Sequence, residues 1–328
     1  DANAPGRIFN LVVLAYQEAL QAPVQRKNGE YVLDEKGKGI PEARYDFDEQ
    51  GNKTVVLDDN GQPEKLVCGR GVAYEFAATK ANWIHSFYEA ENREFASAIE
   101  AWAGLGSSNL FICSYEISFY HYLYPYNNFQ LLLDNFKYFK EFGGNFIYPE
   151  GTWENMNNPG FAKLRDYINS KGMFDVNSDY NELVDKFFKY YFREAAPVMR
   201  KYFNEVQVNL TINENITGGR VHSYGLSDNR VWPEALVTGW LNSFEVAQNE
   251  ILKYKETDAE LYEALSKHIL IESLFPRYVL CTKYDKSFST SQIKEMRKSF
   301  LKDFEDLGNT THQEHFVISD ITSGWNLD

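Results

Sequence analysis

The chain has 328 residues, room for one large domain or a domain with an appendage, and 44% of them are apolar, an ordinary share for a globular protein. Its formal charge is -14, from 47 acidic and 33 basic residues spread along the sequence, so a phosphate backbone or an anionic membrane surface would repel it and nucleic acid is excluded as a partner. No stretch approaches the ~20 apolar residues of a membrane span, and no basic start with an apolar run behind it marks a signal peptide; since the first residue is Asp1 rather than Met, the compartment stays open, a secreted or cell-envelope protein included.

Four short apolar runs ending in polar or glycine-containing turns predict buried parallel strands: Ile8 to Gln17, Lys65 to Phe76, Asn109 to Ser118 and Gly143 to Gly151. The first connection, residues 28 to 65, holds LDEKG, FDEQG and LDDNG, three acidic turns ending in glycine with β-rich pieces between them. It predicts a surface excursion of hairpins. Calcium binding through those carboxylates is the rival, but the full loop and terminal glutamate of an EF-hand are missing. Between the second and third strands, Phe95, Ile99 and Trp102 recur at helical spacing with Gly104 as a stop. NNFQLLLDNFKYFKEFGG, between the third and fourth, is again helical and ended by glycine. PGFAKLRDYINSKGMF predicts a helix opening on Pro159. Such alternation argues for parallel β/α units with right-handed crossovers.

From Asp179 onward the pattern is helical. NELVDKFFKYYFREAAPVMRKYFNEV predicts one long helix kinked or interrupted at Pro197, followed by long helices in WPEALVTGWLNSFEVAQNEILKY, ELYEALSKHILIESLFPRYVL and SQIKEMRKSFLKDFEDLG. The expected organisation is a β/α portion over residues 1–178 and a helical domain over 179–328.

In parallel β/α proteins chemistry gathers at the carboxyl ends of the strands. That rule selects Tyr16 and Gln17, then Tyr74 and Glu75, then Ser114, Tyr115 and Glu116, and finally Tyr148, Glu150 and Trp153. Carboxylates among aromatic rings suit a carbohydrate: acids act on the glycosidic bond and ring faces hold the sugar. The plainer reading of Glu75 is a solvated loop charge, and Glu116 points away from the others if its strand is regular. Glu150 is the stronger candidate, because Pro149 and Gly151 constrain the backbone that aims it. Cys68, Cys113 and Cys281 form no Cys-x-x-Cys pair and read as buried thiols. His312 and His315 in HQEH have the spacing of two ligands on a helix, with no further ligand to complete a metal site. No metal or cofactor is expected; phosphate loop, dinucleotide fingerprint and Ser/His/Asp order are all missing.

The order of pieces from NLFICSYEISFY through NFIYPEGTW to the LRDY helix and the aromatic helix with Ala-Ala-Pro resembles the bacterial family called domain of unknown function 4838. The resemblance implies kinship with (β/α)8-barrel glycoside hydrolases near the α-glucuronidases and hexosaminidases, hence a carbohydrate ligand. With the strand-end residues, the expected catalytic carboxylates are Glu150 and Glu75, and the expected substrate-binding residues are Tyr16, Gln17, Tyr74, Ser114, Tyr115, Glu116, Tyr148 and Trp153. Family members have Trp-Asp-Tyr where this chain has Cys113, Ser114 and Tyr115, so a hydroxyl replaces an acid. A closed barrel takes eight strands and typically ~250 residues, whereas four units are visible. The expected fold is therefore α/β: the carboxyl-terminal half of a (β/α)8 TIM-type barrel, strands five to eight, followed by an all-α helical domain. Its expected partner is the amino-terminal half of the same protein, which would carry the fourth strand and its general acid. The alternatives to an enzyme are a non-catalytic carbohydrate-binding barrel and a helical scaffold or assembly module.

Overall fold

The structure, a computed structural model, describes residues 11–16, 21–68, 72–106, 110–152, 154–325 and 327, with side chains left aside at 11–13 and 16. It is an α/β protein with one four-stranded sheet and many helices. The chain divides into two compact units. The first comprises residues 1–81, 85–114 and 134–149; the second comprises 82–84, 115–133 and 150–328.

In the first unit β1 (Leu11–Tyr16) is followed by two hairpins, β2 (Arg26–Lys27) with β3 (Glu30–Tyr31) and β4 (Tyr45–Phe47) with β5 (Lys53–Val55), and then by β6 (Val72–Ala77), β7 (Leu110–Tyr115) and β8 (Gly144–Glu150). All four expected strands form, and the sheet order is β1-β6-β7-β8. β1 runs parallel to β6, and β6 to β7. Register fixes the faces, since neighbours across a sheet point the same way. Ala15, Phe76 and Ile112 lie in one row and are all buried. On that same side the ring of Tyr74 packs 4.1 Å from Trp102 of α1 (Arg93–Ala103). The adjacent row is Leu14, Glu75 and Phe111, and Leu14 there is 53% exposed. On β8 the alternation continues this face through Phe146 and Tyr148, 51% and 53% exposed, with the Phe146 ring 5.0 Å from that of Phe111.

The excursion is built from one turn used three times. Asp34, Asp48 and Asp58 each accept, through one carboxylate oxygen, the backbone N–H groups two and four residues on. The glycine three residues after each, Gly37, Gly51 and Gly61, has positive φ and donates its N–H back to the Asp carbonyl. This geometry explains the Asp-x-x-Gly spelling, because a side chain that caps a turn and a residue tolerant of the left-handed region are what it needs. The excursion folds onto α1, where Gly39 donates to the Glu100 carbonyl at 3.0 Å. Under that contact Arg93 grips Glu100 with two hydrogen bonds of 2.7 and 2.6 Å, and the Tyr138 hydroxyl donates to the same carboxylate at 3.0 Å. Tyr138 belongs to α2 (Leu131–Glu141).

The second unit contains α3 (Ala162–Phe174), α4 (Tyr180–Tyr191), α5 (Ala196–Ile212), a one-turn α6 (Glu214–Thr217), α7 (Glu234–Glu250), a one-turn α8 (Tyr254–Thr257), α9 (Ala259–Lys283), α10 (Thr290–Asp306), a short hairpin of β9 (Thr311–Gln313) with β10 (Phe316–Val317), and α11 (Ser319–Thr322). Two boundaries differ from expectation. The helix expected to open on Pro159 starts at Ala162, after Gly160 and Phe161 both take positive φ. The helix expected across Pro197 is two: α4 ends at Tyr191, a 3-10 turn covers Arg193–Ala195, and Pro197 sits in the first turn of α5, where no N–H is needed. The core is aromatic, with Phe161, Phe192, Tyr202, Phe203, Trp232, Trp240 and Phe275 all under 2% exposed. Burying one such ring contributes about 2–3 kcal/mol, and edge-on pairs such as Phe161 with Phe203 at 4.8 Å add to it.

Candidate functional site

Of the carboxylates picked out in the sequence, Glu75 lies in the first unit on one face of the sheet, half-buried, in register with Leu14 and Phe111. Phe146 and Tyr148 continue that face on β8. Tyr74 faces the other way: its hydroxyl receives the Cys68 thiol at 2.9 Å, and burial, then that thiol, pushes its pKa up. Ser114 alternates with Tyr115 and is 2% exposed, on the side of Ile112 rather than of Glu75. Gln17 and Trp153 lie outside the described residues, and of Tyr16 only the backbone is described, paired with Ala77.

Residues at the ends of β7 and β8 are counted with the second unit. Tyr115 is buried, its ring edge-on to Trp83 at 5.6 Å and to Phe119 at 5.7 Å. Glu150 is half-buried, and its carbonyl accepts the Glu116 N–H at 3.3 Å. Glu116 itself is 2% exposed, and Asn169 donates to its carboxylate at 2.5 Å. Arg165 provides the countercharge: burial lowers its pKa and the Glu116 carboxylate works against that shift. The guanidinium is also held by Asn128 at 3.1 Å and by the Tyr126 carbonyl at 2.9 Å, over the Phe129 ring at 4.7 Å. Buried and hydrogen-bonded in this way, the Glu116 carboxylate is withdrawn from solvent.

Sequence reasoning missed Arg165 and Asn169 as Glu116's partners, although both stand in the LRDYIN run of a plainly helical segment. The interaction is long-range, and an arginine on a helix gives no sign of which carboxylate it will meet. It also missed Glu272, whose signal was a lone acid inside the apolar run HILIESLF. Glu272 is buried, and its carboxylate accepts the Phe161 N–H at 2.9 Å.

In the turns that suggested calcium, one carboxylate oxygen of each of Asp34, Asp48 and Asp58 serves backbone amides. HQEH is not helical: His312 is on β9 and His315 lies in the turn before β10 with φ 64°. Among the described residues, His85, Glu89 and Glu91 bring three ligand atoms within 4.8 Å of one another. Glu89, however, already spans the His85 ring at 2.8 Å and the Ser86 N–H at 3.0 Å, as a loop cap does. No helix among the described residues is long and apolar enough to cross a membrane.

No curated protein matches the chain. Three chains of solved structure do. One is a GH138 enzyme targeting pectin rhamnogalacturonan II, at 9% identity and a TM-score of 0.33; the match covers 73% of this chain but only 36% of that one. The family model of DUF4838, a domain of unknown function, matches residues 59–204, which take in β6, β7, β8 and the helices from α1 into α5. Over residues 59–204 the chain is therefore similar to the DUF4838 family.

Proposed function

We propose that the chain is a glycoside-hydrolase-like protein acting on a carbohydrate, and that its sheet is the carboxyl-terminal half of a (β/α)8 barrel, followed in the chain by the helical domain. The observation that carries this reading is the sheet face with Leu14, Glu75 and Phe111, exposed on the edge strands and buried at Ala73, Ala77 and Cys113 of the central ones. A barrel puts its helices outside and its strands' inner residues towards an interior. Here the buried row Ala15, Phe76 and Ile112 would be outer, and the row with Leu14, Glu75 and Phe111 inner. That inner row holds an acid with Phe111, Phe146 and Tyr148 on the same face, the residue mix a sugar site uses. In this reading Glu150 and Glu75 are the catalytic carboxylates, with Tyr16, Gln17, Tyr115, Tyr148 and Trp153 on the sugar. Further β/α units, such as the first half of a longer protein would supply, complete the barrel.

The test is turnover of a panel of aryl glycosides and plant and bacterial polysaccharides. Glu150→Gln and Glu75→Gln should each lower kcat by at least about 100-fold while leaving binding within a few-fold. Unchanged turnover in both variants would overturn the assignment. A second reading, a carbohydrate-binding protein without chemistry, is favoured by Ser114 and Glu116, which are both 2% exposed and leave no open acid at the end of β7. Binding by isothermal calorimetry with no product from any substrate would select it.

A further inference from the structure

We propose that the rings of Tyr120 and Tyr224, with His222 beside them, form an outer sugar platform that holds one unit of a neutral oligosaccharide. The inference rests on the carbohydrate reading and deepens it by naming the substrate class: a chain of pyranose rings rather than a single sugar.

Its first support is a continuous ladder of rings that begins at the carboxyl end of β7. Tyr115, the last residue of that strand, meets Phe119 at 5.7 Å between ring centroids, and Phe119 meets His222 at 5.4 Å. His222 meets Tyr120 at 5.2 Å, and Tyr120 stacks on Tyr224 at 4.4 Å with the planes 23° apart. All five residues belong to the second unit. The near end is buried and the far end is open, Tyr115 being 6% exposed and Tyr224 70%. Phe119 and Tyr120 stand on the connection from β7 to α2, and connections at the carboxyl ends of strands are where parallel β/α proteins bind their ligands.

The second support is that the outer ring is held in place with one face free. Scattered exposed tyrosines are ordinary. Tyr224, however, is covered on one face by Tyr120, so an exposure of 70% means that its other face is open to solvent. Its backbone is pinned as well: the Tyr224 carbonyl accepts from His121 Nε2 and from the Ser227 N–H, both at 3.2 Å. The next residue, Gly225, lies so close to α6 that a Cβ there would stand 1.8 Å from the Ile216 carbonyl oxygen. A ring fixed in this way loses little freedom when a ligand covers it.

An open phenol face suits the apolar C–H face of a pyranose whose hydroxyls are equatorial, as in gluco- and xylo-configured chains. The exposed His222 ring alongside offers its nitrogens to the hydroxyls at the sugar's rim. The charge of -14 disfavours an acidic polysaccharide, so the chain is a neutral one. Because Phe119, His222 and Tyr120 intervene between Tyr115 and Tyr224, the platform meets a different sugar unit from the one at the strand ends.

The probes are cellohexaose, xylohexaose and chitohexaose, each compared with its own monosaccharide by isothermal titration calorimetry on the whole chain. At least one hexasaccharide should bind about tenfold or more tighter than its monosaccharide, and Tyr224→Ala should erase that advantage. Tyr224→Phe, which keeps the ring, should stay within about twofold of the parent. Tyr190→Ala, at a side chain 59% exposed on α4, should leave binding unaltered. Far-UV spectra and Tm values equal to the parent's identify the variants as folded. An advantage that survives Tyr224→Ala, an equal loss in Tyr224→Phe, or no binding of any hexasaccharide overturns the platform. The two failures separate on the aryl glycosides: their turnover without hexasaccharide binding leaves the glycoside-hydrolase reading standing, whereas neither turnover nor binding removes both.

Discussion

Glu272 is 2% exposed in the middle of α9, and burial pushes its carboxyl up to about 8, against the pull of the Phe161 and Gly160 amides and the Arg165 charge. Its task is local. Phe161 holds φ 59° and ψ 37°, a conformation that costs a bulky residue about 1–2 kcal/mol; the ring buried against Phe188, Tyr202 and Phe203, and the N–H bound to Glu272, offset that cost. The linkage sign follows from a folded pKa above the ordinary 4.5: the stabilisation is complete below about 4.5 and is lost as pH rises through about 8. Glu272→Gln keeps an acceptor for the amides and removes the titration. The variant should match the parent near pH 4.5 and exceed it above pH 8 by on the order of 3–5 kcal/mol, read as Tm against pH. His121 has the opposite sign: burial lowers its pKa to about 4, so its contribution is present above pH 6.5 and lost as acid takes the pH through 4.

At the scale of elements, the sequence spelled out what is local. Short apolar runs located all four sheet strands, and Asp-x-x-Gly located the turns of the excursion, because both are decided by a few adjacent residues. What stayed hidden depends on distant contacts: the left-handed Phe161 that delays α3 until Ala162 exists because α9 supplies Glu272. The candidate site was legible to the same degree. Alternation expects Glu116 apart from Tyr115, and the two meet different partners, Asn169 for Glu116 and the Trp83 and Phe119 rings for Tyr115, whereas nothing in the sequence points to Asn169 as the partner. Two glycines test how packing divides from propensity. A Cβ on Gly104 would stand 1.8 Å from the Gly39 carbonyl oxygen, where excursion and helix touch backbone to backbone. Gly104→Ala should therefore cost about 3 kcal/mol, at the upper end of ordinary overpacking. Gly239, exposed in the middle of α7, has nothing within 4 Å of its would-be Cβ, so Gly239→Ala should raise stability by about 0.5–1 kcal/mol. Urea denaturation with common m-values would check the pair.

At the scale of the whole molecule, a charge of -14 makes self-repulsion a term in stability. Raising ionic strength from about 0.01 to 0.5 M, which shortens the screening length from ~30 Å to a few ångströms, should raise Tm by several degrees at pH 7; a fall would mean that ion pairs such as Arg277 with Asp303 at 2.7 Å outweigh the repulsion. The charge also bears on how the protein ages. Asn60 precedes Gly61, the pairing most prone to spontaneous loss of the amide, which proceeds when the next backbone nitrogen attacks the asparagine side chain. In the third Asp-x-x-Gly turn that nitrogen is engaged, donating to the Asp58 carbonyl at 2.9 Å. The turn that shapes the excursion therefore also acts as a chemical preservative, slowing conversion of Asn60 to an acid that would add one more negative charge to the chain.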